Sequence, residues 1–221
     1  MVLASGAGTR VGAHLNKVYL PLAGRRIASW SLSAFAAVPG IGVLVLVTRP
    51  QDAELVEEVL ADQEVPVEVV HGGGTRQESE LNALRHLGNR IADGSVDAVL
   101  LHDGARPLVT PKLIAEVLRV AREHGGAMPG LAADDVFAGD GETLGPRPRG
   151  RVVRAQTPQG FRAAPLLAAY EQAAREGFEG TDTASVMERF SDLPVHWVPG
   201  EERNFKVTYP HDLVVAGQVL G

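Results

Sequence analysis

The chain has 221 residues, a formal net charge of -6 and no cysteine, which excludes disulfides, thiolate catalysis and cysteine-bound metals. The acidic balance argues against a general nucleic-acid binder, so a phosphate ligand must be held by a local cluster of cations. No stretch approaches the ~20 apolar residues of a membrane span, and the opening lacks a basic n-region, so a soluble, cytoplasmic protein without a signal peptide is expected. Val2–Ala4 reads as a short strand running into Gly6-Ala7-Gly8-Thr9-Arg10. Ile27 to Val38 carries apolar residues at helical spacing, with Gly40 as the breaker. Val43–Val47 is apolar on both faces, as a buried parallel strand requires. A helix from Asp52 to Ala61 and a strand from Val65 to Val70 follow. Gly72-Gly73-Gly74 then leads into a helix through Leu81, Leu84 and Leu87. Ala98–His102 is a strand ending at Asp103, and Pro111 opens the next helix. Alternation of this kind predicts an α/β, doubly wound, mostly parallel Rossmann-like sheet in a single domain.

Between Leu131 and Val153 the pattern breaks into Gly, Pro, Asp and Arg. A structureless loop of that length is uncommon inside a compact domain, so an arm, of β-hairpin type, is expected to protrude there toward a second subunit. Helices at Pro165–Glu176 and Asp182–Phe190, a strand at Val195–Val198 and a closing helix at Pro210–Leu220 complete the chain.

In such a sheet ligands bind beyond the carboxyl ends of the strands. The first glycine loop, Gly6 to Arg10 with Lys17 close behind, suits phosphate, because glycine lets backbone N–H groups approach phosphate oxygens. It lacks the third glycine of a dinucleotide fingerprint and the Gly-Lys-Ser/Thr end of a P-loop, and a plain strand–helix turn is the alternative. Gly72-Gly73-Gly74-Thr75-Arg76 with Ser79 permits close approach of a base or ribose, against a tight turn with a solvated arginine. Asp103 stands where a carboxylate can meet Mg²⁺ or a sugar hydroxyl, and Arg106 where it can read phosphate, unless the two simply pair. His102 reads as a buried supporting histidine. Thr181-Asp182 can equally cap a helix. Lysine occurs only at positions 17, 112 and 206 in an otherwise arginine-based chain, which draws attention to Lys17 and Lys206. Cations and glycine loops without an evident nucleophile suit phosphoryl or nucleotidyl transfer, which works by positioning and charge stabilisation.

Taken in order, these motifs resemble the 2-C-methyl-D-erythritol 4-phosphate cytidylyltransferase family over essentially the whole chain. The family's Ala-Ala-Gly-x-Gly-x-Arg and Pro-Lys are similar to Ala4-Ser5-Gly6-Ala7-Gly8-Thr9-Arg10 and Asn16-Lys17. Its Gly-Gly-x-x-Arg-x-x-Ser matches Gly72 to Ser79, and its His-Asp-Ala-Ala-Arg-Pro matches His102 to Pro107 with Gly104 for an alanine. Thr157-Pro158-Gln159 matches, Thr181-Asp182-Thr183-Ala184-Ser185 is close to Thr-Asp-Glu-Ala-Ser, and Lys206-Val207-Thr208 matches Lys-Ile/Val-Thr.

The resemblance implies a nucleotidyltransferase that joins CTP, with Mg²⁺, to a polyol phosphate. It implies that Arg10, Lys17 and Lys206 stabilise the triphosphate and that Ala4, Ser5, Gly6, Gly8, Gly73, Gly74 and Ser79 form the CTP site. Asp103, Arg106 and Thr181 would hold the acceptor, and Arg149 would reach the partner's substrate from the 131–153 arm of a homodimer. It implies no metal bound by the protein itself, with Asp103 the one candidate ligand. Asn16 in place of proline is expected to loosen the first loop. Asp135 stands where the family shows a threonine that meets substrate phosphate, and a carboxylate there repels phosphate. The competing readings are a cytidylyltransferase for another polyol phosphate such as ribitol 5-phosphate, a sugar-1-phosphate nucleotidyltransferase, and a non-catalytic nucleotide-binding protein.

Overall fold

A computed structural model describes residues 1–6 and 16–221. Arg10 and Gly8 therefore lie outside the described residues. After β1 (Val2–Leu3), a two-stranded ribbon of β2 (Pro21–Leu22) and β3 (Arg25–Arg26) leads into α1 (Ile27–Ala36), β4 (Leu44–Thr48), α2 (Ala53–Ala61) and β5 (Val67–His71). Next come α3 (Arg76–His86), the short α4 (Gly88–Ala92), β6 (Ala98–Asp103), α5 (Pro111–His124) and β7 (Gly126–Ala132). The chain ends through β8 (Val153–Ala155), β9 (Gln159–Arg162), α6 (Ala163–Glu176), α7 (Thr183–Phe190), β10 (Val195–Pro199) and α8 (Pro210–Leu220).

The main sheet runs β10-β7-β9-β6-β1-β4-β5, with β8 paired to β7. β9 is antiparallel to both β6 and β7, and β8 is antiparallel to β7, while the other pairings are parallel. The doubly wound expectation therefore holds, with an antiparallel insertion on the β7 side. Two strands there escape sequence patterning. β7 contains Gly126, Pro129 and Gly130, and β9 is four residues with Gly160 inside it, compositions that oppose strand propensity. Both pack against helix α5. A Cβ on Gly160 would stand 3.0 Å from Val117 of that helix.

Strand parity divides the interior into two cores. Leu44, Leu46 and Leu100 pack with Leu32, Phe35, Ile114 and Val117 from α1 and α5. Val45, Val47, Val99 and Leu101 face the other way, onto Leu84, Leu166, Tyr170 and Met187 from α3, α6 and α7. Each fully buried leucine or valine here contributes roughly 1.5–3 kcal/mol. A third cluster of Leu22, Ile27, Leu108, Val207 and Ala216 seats α8 and the β2–β3 ribbon.

The irregular segment between β7 and β8 forms an arm. Its stem extends the β7–β8 ladder, from Gly130 opposite Ala155 to Ala132 opposite Val153. Farther out, Gly139 bridges Leu144, and Asp140 accepts the Glu142 and Thr143 N–H groups at the tip.

Candidate active site

Strand order reverses at β1, whose neighbours are β4 on one side and β6 on the other, with Leu3 opposite both Val47 and Asp103. A ligand cleft is expected at such a switch point, and a cleft of about 640 Å³ opens there. It is walled by Ser5 and Gly6 after β1, Asn16 to Val18, Thr48 to Gln51 after β4, Gly72 to Arg76 after β5, Asp103 to Ala105 after β6, and Lys206. Its wall carries four cations, Lys17, Arg49, Arg76 and Lys206, and one carboxylate, Asp103, so the cleft is locally cationic in an acidic chain. A separate cavity of about 470 Å³ beside Met128 and Trp197 carries Glu188 and Asp192 and no lysine or arginine on its wall. It is unsuited to phosphate.

The loops are tied to one another by short polar side chains. Ser79, buried at the start of α3, accepts hydrogen bonds from Ser5 Oγ at 3.0 Å and from Gly73 N–H at 3.1 Å, and donates to the Thr75 carbonyl at 2.8 Å. Thr75 and Glu78 form a reciprocal cap on the helix, with Glu78 also accepting the Gly74 N–H. Glycine is required in this turn: a Cβ on Gly73 would lie 2.4 Å from the Glu78 Cβ. Ser79 and Gly73 thus shape the cleft, while Ala4 is buried below it as the acceptor of a bond from Asn16 Nδ2 at 2.5 Å. Asn16 is 2 % exposed and also accepts the Val18 N–H. It fastens the turn bearing Lys17 to the end of β1; the first loop past Gly6, where loosening is expected, lies outside the described residues.

Asp103 is the electrostatic centre. Arg76 Nη1 reaches one carboxylate oxygen at 2.6 Å and Lys206 Nζ the other at 2.9 Å, with Arg106 Nε at 3.7 Å. Burial alone would raise this carboxyl, but Arg76, Lys206 and Arg106 outweigh it and hold it far below the usual carboxylate range. These commitments do not fit Asp103 as a Mg²⁺ ligand, because the three cations already offset its charge and repel a further cation, while its remaining lone pairs can still accept from a hydroxyl. No group of three or more His, Asp or Glu side chains arranged to hold a metal occurs among the described residues.

Behind Asp103, Thr157 Oγ1 accepts the Asp103 N–H at 3.0 Å and bonds His102 Nδ1 at 3.1 Å. His102 Nε2 lies 3.2 Å from the Arg106 carbonyl, which only accepts, so the ring is the neutral Nε2–H form. Burial pushes its pKa down to about 3. His102 is therefore the supporting residue the sequence suggests. Lys206 is placed by its neighbours: Asn204 donates to the Thr157 carbonyl at 2.8 Å, and Val207 N–H to the Ala105 carbonyl at 2.8 Å.

The family model described as 2-C-methyl-D-erythritol 4-phosphate cytidylyltransferase matches residues 1–221. The chain belongs to that family. It is 38% identical over 228 residues to the cytidylyltransferase of that name from Synechococcus sp. (strain JA-3-3Ab), covering 100% of this chain and 95% of that one. The Cereibacter sphaeroides (strain ATCC 17023) protein of the same name is 40% identical, with the same coverages. Among solved structures, 4-diphosphocytidyl-2C-methyl-D-erythritol synthase from Anaerococcus prevotii superposes with a TM-score of 0.85 at 28% identity, covering 99% of this chain and 93% of that chain. The cytidylyltransferase from Thermus thermophilus gives 0.74 at 31%, covering 99% and 96%.

Of the positions matched to the family's motifs, the fold brings Ser5, Gly6, Lys17, Gly73, Gly74, Asp103 and Lys206 together on the cleft wall. Arg106 stands behind it, its Nη1 given to the Asn204 carbonyl at 2.8 Å. Thr181 is exposed ahead of α7, and Arg149 is exposed on the arm; neither is on the cleft wall. Asp135 is also exposed on the arm, away from the cleft. Asp182 caps α7 by accepting the Ser185 N–H, and it accepts from Gln159 as well. Arg49 is a cleft residue that sequence reasoning missed. The signal was available in Thr48-Arg49-Pro50-Gln51-Asp52: an arginine directly after a buried strand, with a carboxylate three residues on that holds it at 2.8 Å.

Proposed function

We propose that the chain transfers the cytidylyl group of CTP to 2-C-methyl-D-erythritol 4-phosphate, giving 4-diphosphocytidyl-2-C-methyl-D-erythritol and pyrophosphate for isoprenoid synthesis. An oxygen of the acceptor phosphate attacks the α-phosphorus in line. The bond from that phosphorus to the bridging oxygen breaks, and pyrophosphate leaves with the electron pair. No covalent enzyme intermediate is needed. The observation that carries the reading is the convergence of Lys17 and Lys206 on a glycine-walled cleft at the strand-order reversal, in a chain of this family. Cations aimed at the phosphorus as negative charge builds on its oxygens lower the barrier. Lys17 and Lys206, with Arg10, are assigned that task, and Gly73 and Gly74 the cytosine and ribose.

Mg²⁺ is proposed to enter on the triphosphate, held by phosphate oxygens rather than by this chain. Arg149 is proposed to act in the cleft of a second copy, which makes the working unit a homodimer. Asp103, Arg106 and Thr181 are assigned to the acceptor. No helix among the described residues is long and apolar enough to cross a membrane.

Pyrophosphate release from CTP, measured separately with methylerythritol 4-phosphate and ribitol 5-phosphate, tests the reading. Turnover with the first alone, reduced about a hundredfold or more in Lys17→Ala, supports it. Turnover with ribitol 5-phosphate alone retains the chemistry and overturns the acceptor.

A further inference from the structure

One buried carboxylate of this molecule has no part in the mechanism above. Glu80 lies on α3, one turn past Arg76, and is 1 % exposed. Three donors converge on it: Arg76 Nε at 2.9 Å, Tyr170 Oη from α6 at 2.5 Å, and Thr183 Oγ1 from α7 at 3.3 Å. The same guanidinium spans to Asp103 with its Nη1 at 2.6 Å. A carboxylate is kept in so buried a place only when its partners satisfy it, and here the partners come from three helices. Thr183 is the first residue of α7, and its hydroxyl touches Glu80. A glutamate at 183 would carry its carboxylate two bonds beyond the position of that hydroxyl, toward the place Glu80 occupies.

We propose that Glu80 is a positioning residue of the cleft, acting from α3 through Arg76. Its work is to fix the Arg76 guanidinium so that Asp103 is presented to the acceptor in one orientation. Tyr170 and Thr183 hold Glu80 in turn, so α6 and α7 shape the cleft without reaching it. Glu80 touches neither substrate nor the reacting atoms. The kinetic consequence rests on the cytidylyltransferase reading above; the geometry of Arg76 does not.

The test compares wild type, Glu80→Gln and the exchange variant Glu80→Thr/Thr183→Glu by two readouts. The first is solvent exchange of the Arg76 Nε–H, followed by ¹⁵N NMR with Arg76→Lys to assign the signal. Wild type is expected to protect it, Glu80→Gln to lose protection, and the exchange variant to regain it. The second is steady-state kinetics with CTP and methylerythritol 4-phosphate. Glu80→Gln is expected to lower kcat/KM for the acceptor about tenfold with the KM for CTP unchanged, and the exchange variant to recover most of the loss. A merely structural Glu80 would lower the melting temperature and leave both readouts at wild-type values. That result, or an exchange variant no better than Glu80→Gln, overturns the proposal. Tyr170→Phe removes one donor and keeps the charge; it decides the question by the same readouts if Glu80→Gln does not fold, with weakened Arg76 protection expected and unchanged protection contradicting. A wild type silent toward both substrates refutes the cytidylyltransferase reading alone, because the Nε–H exchange still decides this one.

Discussion

At the residue scale, the site rests on two buried groups whose ionisation is set by opposite means. Asp103 is kept charged by its cations. Replacing it with asparagine leaves Arg76, Lys206 and Arg106 crowded without their shared anion. Asp103→Asn is expected to cost about 3 kcal/mol or more of stability by urea unfolding, and an unchanged midpoint would contradict the hub. His102 is kept neutral by burial. Its folded pKa of about 3 lies below the ordinary value of 6.5, so the unfolded chain takes up a proton first as pH falls. The stability it contributes is full above pH 6.5 and is lost toward pH 3. Asp103 begins to act only below its ordinary value of 3.8. Between those two ordinary values His102 is expected to contribute a loss of about 1.4 kcal/mol per pH unit. Unfolding free energies measured across that interval should show a shallower slope in His102→Asn, and parallel slopes would contradict it.

At the element scale, the meeting of β1 and β6 is tight enough to choose between glycine and alanine. A Cβ on Gly104 would stand 2.8 Å from the Leu3 carbonyl oxygen, and that oxygen accepts the Gly104 N–H at 3.0 Å. The alanine found there in the family motif therefore requires β1 to shift in this chain. Gly104→Ala is expected to destabilise by about 1–3 kcal/mol through overpacking, read by thermal unfolding, with a gain of stability as the contrary result. Most elements were legible before the fold was known. Val43–Val47 announced β4 by being apolar on both faces, and Pro111 marked the start of α5, whereas the Thr75–Glu78 cap of α3 emerged only with the fold. β7 and β9 were not, because Pro129, Gly130 and Gly160 serve close packing rather than strand propensity. In the site, glycines and lysines were visible as motifs. Arg49 and Glu80 were not, because their roles arise from strand order and from helices that meet only in the fold.

At the scale of the whole molecule, the arm is the part that a single chain leaves unexplained. It holds Phe137 and Leu144 in the open, with the Arg147 guanidinium 4.5 Å from the Phe137 ring centre, and it carries Arg149 away from the cleft of its own chain. If Arg149 serves the partner's cleft, mixing inactive Lys17→Ala with inactive Arg149→Ala creates dimers with one intact site. Activity should return to roughly a quarter of wild type by the statistics of a two-fold assembly. Sites built within one chain would give no complementation.

The most direct test of the central claim is ³¹P NMR of the purified chain with CTP, Mg²⁺ and methylerythritol 4-phosphate. The expected result is a new pair of coupled diphosphate resonances growing in step with pyrophosphate, and absent with Lys206→Ala. Pyrophosphate without a new diphosphate would mean hydrolysis rather than transfer, and an unchanged spectrum from folded protein would contradict the assignment of the cleft to cytidylyl transfer.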